Sequence, residues 1–281
     1  MIYQTNAISQ AKPRRLKRRK VLSWTLAVVV VLVLGLAVLY KTLTYEPLDA
    51  AVSALSSDEN VTVNKTGDGY VLEPAGMEAL QPNIIFYPGG LVEPESYALF
   101  GRKLAEAGHR VYIAAMPLNL AMLGQNKADS FIAEHPEDSY VIGGHSLGGV
   151  FASRYAAKHP DSVAGVYFLA SYADDGGSLN GLNMSALQIT GSNDGVLDRE
   201  AWERAKSNLP DATTYVTIEG GNHGQFGVYG MQKGDNAASI SAEEQLLAVA
   251  GAMEEWMGSL GDPNDPGTAE DEANAESASN E

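Results

Sequence analysis

The chain has 281 residues, with 19 Lys/Arg against 35 Asp/Glu for a formal net charge of -16, 29 glycines and no cysteine. That length suits one α/β domain with extensions, because a core of about 200 to 250 residues still closes as one unit. The lack of cysteine excludes disulfides and thiolate metal sites. The acidic excess excludes nucleic acid as a partner, since a like-charged surface repels phosphates.

Charge is spread unevenly along the chain. Residues 1–20 hold seven of the basic side chains (Lys12, Arg14, Arg15, Lys17, Arg18, Arg19 and Lys20) and no acid, and residues 21–40 then run without a single charge as VLSWTLAVVVVLVLGLAVLY. Twenty helical residues rise about 30 Å, the thickness of a hydrocarbon core, so this stretch is expected to be a transmembrane helix. Basic residues precede the span and only Lys41 closely follows it, ahead of Glu46 and Asp49. The positive-inside rule then predicts a single-pass protein of the cell membrane, its N-terminus cytoplasmic and everything after Tyr40 outside. A cleaved signal peptide is the competing reading. Against it stand the length of the apolar run and the lack of a small-residue cleavage site near Leu39.

The expected organisation is a basic cytoplasmic segment at 1–20, the span at 21–40, a connector at 41–59, a catalytic-sized domain at 60–260 and a tail at 261–281. The connector holds one short helix around 49–57. Residues 60–65 and 69–73 flank Thr66-Gly67-Asp68, which predicts an antiparallel hairpin. Further strands are expected at 84–87, 110–115, 139–143, 163–170, 186–190 and 213–218. Helices are expected at 95–108, 118–134, 147–158, 198–208 and 241–260. In the first of them Tyr97, Phe100, Leu104 and Ala107 share one face and Gly108 suits the C-terminal cap. Alternation of this kind, with strands too continuously apolar to have a wet face, predicts a doubly wound, mostly parallel sheet covered on both sides. The tail, GDPNDPGTAEDEANAESASNE, has seven acids and no base, and is expected to be disordered because it buries too little surface to offset its ordering entropy.

Chemistry concentrates at the carboxyl ends of the predicted strands, where ligands meet sheets of this class. Ser146 lies at such an end within Gly144-His145-Ser146-Leu147-Gly148, a G-x-S-x-G pattern between an apolar strand and a helix. A hydroxyl on so sharp a turn stands clear of the sheet, and glycine on either side meets the steric demand. Serine needs a base to take its proton, and the base needs an acid to hold its tautomer. The chain supplies both in the order Ser, Asp, His. Asp194, in GSNDG, is the first candidate for the acid, with Asp174 and Asp175 as alternatives, while Asp198 is expected to cap a helix. His223, in GGNHG, is the expected base. His109, His135 and His159 sit near predicted helix ends and are expected to be structural. His145 is expected to point away from a productive partner. The oxyanion formed on attack needs donors: the backbone amide of Leu147, and that of Gly90 or Leu91 in the loop after the strand 84–87.

Taken together, FYPGG, GGHSLGG, TGSNDG and GGNHGQFG in this order resemble the α/β-hydrolase superfamily, in particular its small serine esterase-like members related to dienelactone hydrolases. The resemblance runs over about 60–260. It implies an ester, thioester or lactone hydrolase that works through an acyl-enzyme on a small-molecule acyl substrate, without metal or organic cofactor. Two residues depart from the pattern: Pro88 stands where many relatives have histidine, and dienelactone hydrolases proper use cysteine where this chain has Ser146. Only about fifteen residues separate 170 from 186, where relatives often insert a helical lid, so little or no lid is expected. Asn222, Gln225, Phe226 and Tyr229 are candidates to line the open pocket. Two rival functions stand beside hydrolysis: acyl transfer to an acceptor other than water through the same triad, and a non-catalytic binding or scaffold protein on the same fold.

Overall fold

In the computed structural model, residues 14–260 are described, with side chains from residue 22 onwards. The tail at 261–281 and most of the basic segment at 1–20 lie outside the described residues. Within them the chain divides into two compact units that part between Thr44 and Tyr45.

The first unit is a helix, α1 (Arg14–Leu43), whose apolar stretch Leu22–Leu43 is 22 residues long. At 1.5 Å per residue that is about 33 Å, long and apolar enough to cross a membrane.

The second unit opens with a short helix, α2 (Asp49–Ser53), and is built on one eight-stranded sheet in the order β1-β2-β4-β3-β5-β6-β7-β8. Strands β1 (Val61–Lys65) and β2 (Gly69–Pro74) form the expected antiparallel hairpin, and β2 runs antiparallel to β4 (His109–Ala114). From there the sheet is parallel: β3 (Leu80–Tyr87), β5 (Tyr140–His145), β6 (Gly165–Leu169), β7 (Ser185–Gly191) and β8 (Thr213–Ile218). Successive residues of a strand face opposite sides, so the continuously apolar strands feed two cores. Ile84 and Phe86 join Phe100 and Leu104 of α3 (Ala98–Glu106) and Leu246, Val249 and Met253 of α7 (Ala242–Gly258) on one face. Ile85 and Tyr87 join Phe131 of α4 (Ala128–Ile132) and Phe151 and Tyr155 of α5 (Leu147–Lys158) on the other. Each large apolar side chain buried in this way contributes roughly 1.5–3 kcal/mol. The remaining helix, α6 (Arg199–Ala205), begins at Asp198, whose carboxylate accepts from the Ala201 N–H at 2.9 Å, the cap expected of it.

One predicted element takes another form. In place of a helix over 118–134 the chain makes two 3-10 turns, Pro117–Asn119 and Ala121–Leu123, before the short α4. Leu118 and Asn119 both adopt left-handed backbone, φ 52° and 51°. A helix cannot run through such residues, whatever their apolar spacing. Between β6 and β7 the chain forms only a 3-10 turn, Asp175–Gly177, with no inserted helical lid.

Candidate active site

Strand β5 stops at Ser146 because the backbone turns sharply there: Ser146 has φ 49° and ψ -121°, a conformation that side-chain-bearing residues rarely adopt. The turn brings the start of α5 hard against the end of β3. A Cβ at Gly144 would lie 2.2 Å from the Tyr87 carbonyl oxygen and one at Gly148 only 2.0 Å from the same atom. Both glycines of the G-x-S-x-G pattern are thus required by one carbonyl. The turn is held from the neighbouring strand as well. Ser146 N–H donates to Leu169 O at 3.0 Å, and the Ser171 hydroxyl donates to Ser146 O at 2.6 Å.

Asp194 follows β7 and His223 follows β8, two adjacent parallel strands, so their loops meet at the same carboxyl edge of the sheet. His223 Nδ1 lies 2.9 Å from Asp194 Oδ2, and both side chains are almost wholly buried. Burial alone disfavours the Asp194 carboxylate, but the hydrogen bond and charge of His223, with amides from Leu197 and Val196, outweigh it and hold its pKa below the ordinary 3.8. Those two amides donate to Oδ1, each at 2.8 Å. An ionised carboxylate only accepts, so Nδ1 carries a proton, and in the neutral tautomer that this bond selects Nε2 holds the lone pair. Nε2 is buried and has no hydrogen-bond partner among the described residues. It makes no hydrogen bond with the Ser146 hydroxyl here, a contact that in such sites commonly tightens only once substrate is bound.

The loop after β3 is resolved amide by amide. Gly89 N–H donates to the Tyr97 hydroxyl at 3.0 Å, and Leu91 N–H donates to Asn119 O at 2.7 Å. Leu91 was one of two candidates for the second oxyanion donor beside Leu147, and this bond takes its amide out of play. Gly90 remains, its backbone so close to the start of α5 that an added Cβ would lie 3.1 Å from Leu147 Cδ2. Leu147 is the first residue of α5, so its own N–H has no intrahelical acceptor.

The other candidates are placed elsewhere. Asp174 forms a two-toothed ion pair with Arg154, and Asp175 accepts from Asn208 Nδ2 at 3.2 Å. His109 is buried between Pro82 O and Glu254, and His159 caps α5 with its ring stacked on Tyr155. Phe226 is fully buried in the core, and Asn222 spends its side chain on Asn236 O and the Gln225 N–H, so neither lines an open pocket. Tyr229 is likewise buried, its hydroxyl donating to Gln232. Among the described residues no group of three His, Asp or Glu is arranged to hold a metal ion.

The expectation for His145 is overturned. Instead of pointing away, its ring packs against that of His223 with centroids 4.5 Å apart, and its Nδ1 meets the Tyr97 hydroxyl at 2.9 Å. Burial and the neighbouring His223 push its pKa well below the ordinary value, so it stays neutral. Tyr97 thereby joins the loop after β3 to the ring packed against the candidate base. Its place in an apolar helical face gave a core signal only, and nothing in the sequence marks its hydroxyl as a link.

A family model described as alpha/beta hydrolase family matches residues 83–247. Among solved structures, the chain is similar to a dienelactone hydrolase from Anabaena variabilis (17% identity, 71% of this chain and 96% of that one, TM-score 0.50). It is also similar to a monoacylglycerol lipase from Paleococcus ferrophilus (17% identity, 72% and 99%, TM-score 0.52). A third is an esterase from Mycobacterium tuberculosis (13% identity, 73% and 94%, TM-score 0.50). No curated protein sequence matches the chain.

Proposed function

The chain belongs to the alpha/beta hydrolase family, and from that premise we propose that it is a membrane-anchored serine hydrolase that cleaves a carboxylic ester, thioester or lactone through an acyl-enzyme. The observation that carries the proposal is the buried Asp194–His223 pair with Nε2 left unpartnered, at the same carboxyl edge of the sheet as a serine held in left-handed backbone at a strand-to-helix turn.

In this reading Ser146 Oγ attacks the substrate carbonyl and its proton passes to His223 Nε2. The carbonyl π electrons move onto oxygen, and the amides of Gly90 and Leu147 receive that charge. Collapse of the tetrahedral species breaks the bond to the leaving group, which takes the proton from Nε2. Water then repeats the sequence on the acyl-enzyme and returns the hydroxyl to Ser146. Asp194 holds the productive tautomer and stabilises the imidazolium. The open edge, without an inserted lid, favours small or exposed acyl groups.

The anchor is the apolar stretch at 21–40 with its preceding basic residues, which would put the catalytic domain, 60–260, outside the cytoplasm. The compact unit that contains it begins at Tyr45, whose N–H donates to Leu91 O at 2.8 Å and whose carbonyl accepts from Glu93 N–H at 3.1 Å.

The test is Ser146→Ala measured on a short p-nitrophenyl ester, with covalent labelling by a fluorophosphonate. Turnover and labelling both vanish in the variant while its melting temperature stays close to that of the parent. Turnover at the parent rate in the variant would refute the proposal.

A further inference from the structure

The chain that follows the candidate base turns back across the site. From Gly230 to Ser239 it forms a surface segment in which no residue between 231 and 239 is buried. Left-handed glycines, Gly230 with φ 86° and Gly234 with φ 89°, set its course. An apolar core cannot be what holds this segment in place. Its polar bonds are specific instead. Asp235 Oδ1 accepts from Gly195 N–H at 3.0 Å, and Asp235 Oδ2 accepts from Gly224 N–H at 2.8 Å. Gly195 is the residue after the candidate acid and Gly224 the residue after the candidate base. One carboxylate therefore bridges the two loops at the point where their spacing matters most.

The residues on the other side of the pair are tied to the same segment. Asn222 Nδ2 donates to Asn236 O at 2.7 Å, and Asn193 Nδ2 donates to Ala237 O at 3.3 Å. The fit is close, since a Cβ at Gly195 would lie 2.7 Å from Asn236 Nδ2. The segment thus grips 193 and 195 in one loop and 222 and 224 in the other. The Asp194–His223 bond lies between these points of attachment.

We propose that Asp235 is a positioning residue: its carboxylate straps the acid loop to the base loop and so fixes the Asp194–His223 geometry, without itself meeting the substrate. This rests on the triad reading given above. The physical reason is that a bond between two side chains on separate loops is only as well placed as those loops, and a misplacement of about 1 Å costs on the order of a hundredfold in rate. A carboxylate suits the task because it accepts two charge-assisted bonds at once from amides facing it on opposite sides. An amide in its place accepts only one and turns an N–H towards the other.

The test compares Asp235→Ala and Asp235→Asn with the parent chain by two readouts. The first is steady-state kinetics on a p-nitrophenyl ester. The expected result is a fall in kcat of about tenfold to a hundredfold for Asp235→Ala, an intermediate fall for Asp235→Asn, and KM nearly unchanged in both. The second needs no turnover: the downfield proton resonance of an imidazole Nδ1–H bonded to a carboxylate, present in the parent, is broadened or lost in Asp235→Ala at a temperature well below its melting point. Parent-like kcat and an unaltered resonance in Asp235→Ala overturn the proposal. So does a kcat loss that appears only where the variant is melting, with Asp235→Asn fully active. Should the parent itself turn over no ester and resist the fluorophosphonate, the hydrolase reading fails while the resonance still decides whether the strap holds the pair.

Discussion

At the residue scale the site is an exercise in matching donors to acceptors. Asp194 accepts three hydrogen bonds, two from backbone and one from His223, and this surplus keeps it ionised in spite of burial. Asp194→Asn keeps the shape but can present an N–H to Nδ1, which drives the imidazole proton to Nε2 and removes the lone pair that the proposed mechanism uses to take the Ser146 proton. The expected loss in kcat is on the order of 10⁴-fold, read on the same ester substrate at neutral pH. The same carboxylate also links stability to pH. Its folded-state pKa is depressed, so its contribution is fully present above the ordinary value of 3.8 and is lost as pH falls below that value through the folded pKa. Thermal melts taken downwards from about pH 4 should therefore fall more steeply for the parent than for Asp194→Asn. A parallel fall in both would show that Asp194 is not the group concerned.

At the scale of elements, the strand-to-helix turn from β5 into α5 is fixed by space. The Tyr87 carbonyl at the end of β3 fills the volume that a side chain at 144 or 148 would need. Gly148→Ala must therefore shift backbone against backbone, which is expected to cost about 3 kcal/mol or more and to take ester turnover with it. Gly251, on the exposed face of α7, has nothing within 4 Å of an added Cβ. There the change to alanine only removes unfolded-state freedom, and Gly251→Ala should gain about 0.5–1 kcal/mol. Urea unfolding of the two variants beside the parent checks both signs at once. The same reasoning explains why the predicted helix over 118–134 does not form. The apolar spacing there was helical, but the carbonyl of Asn119 is committed to Leu91 N–H, and meeting it takes the chain through left-handed backbone. A contact to a loop 28 residues away leaves no trace in local periodicity.

At the scale of the whole molecule, α1 and the domain that follows it are separate compact units. Deleting residues 1–40 is expected to leave the melting temperature and the turnover of a water-soluble ester unchanged within error, while the full chain partitions with membranes and resists extraction by alkaline carbonate. Full-length material recovered as a shortened soluble protein would favour a cleaved signal over an anchor.

How much of this was legible in advance follows from the range of each interaction. Strand and helix order, the parallel sheet and the G-x-S-x-G turn rest on periodicity and on glycines a few residues apart, and those are local properties of the chain. Ser146, Asp194 and His223 could be put forward as candidates because each follows a strand that the pattern places at one edge of the sheet. The choice of Asp194 over Asp174 and Asp175 depended on which carboxylate already had a partner, and Arg154 supplies that answer only once α5 is folded onto the loop after β6. The amide of Gly90 was separated from that of Leu91 by Asn119, His145 at the end of β5 was met by His223 from a loop that starts three strands away at β8, and Asp235 was set between Gly195 and Gly224 by a loop with no apolar pattern to read. By itself the sequence determined the strands, the helices other than the one expected over 118–134, their order and the chemistry on offer. The tertiary structure decided which groups share a hydrogen bond, because that depends on distances across the sheet edge that no local run of residues encodes.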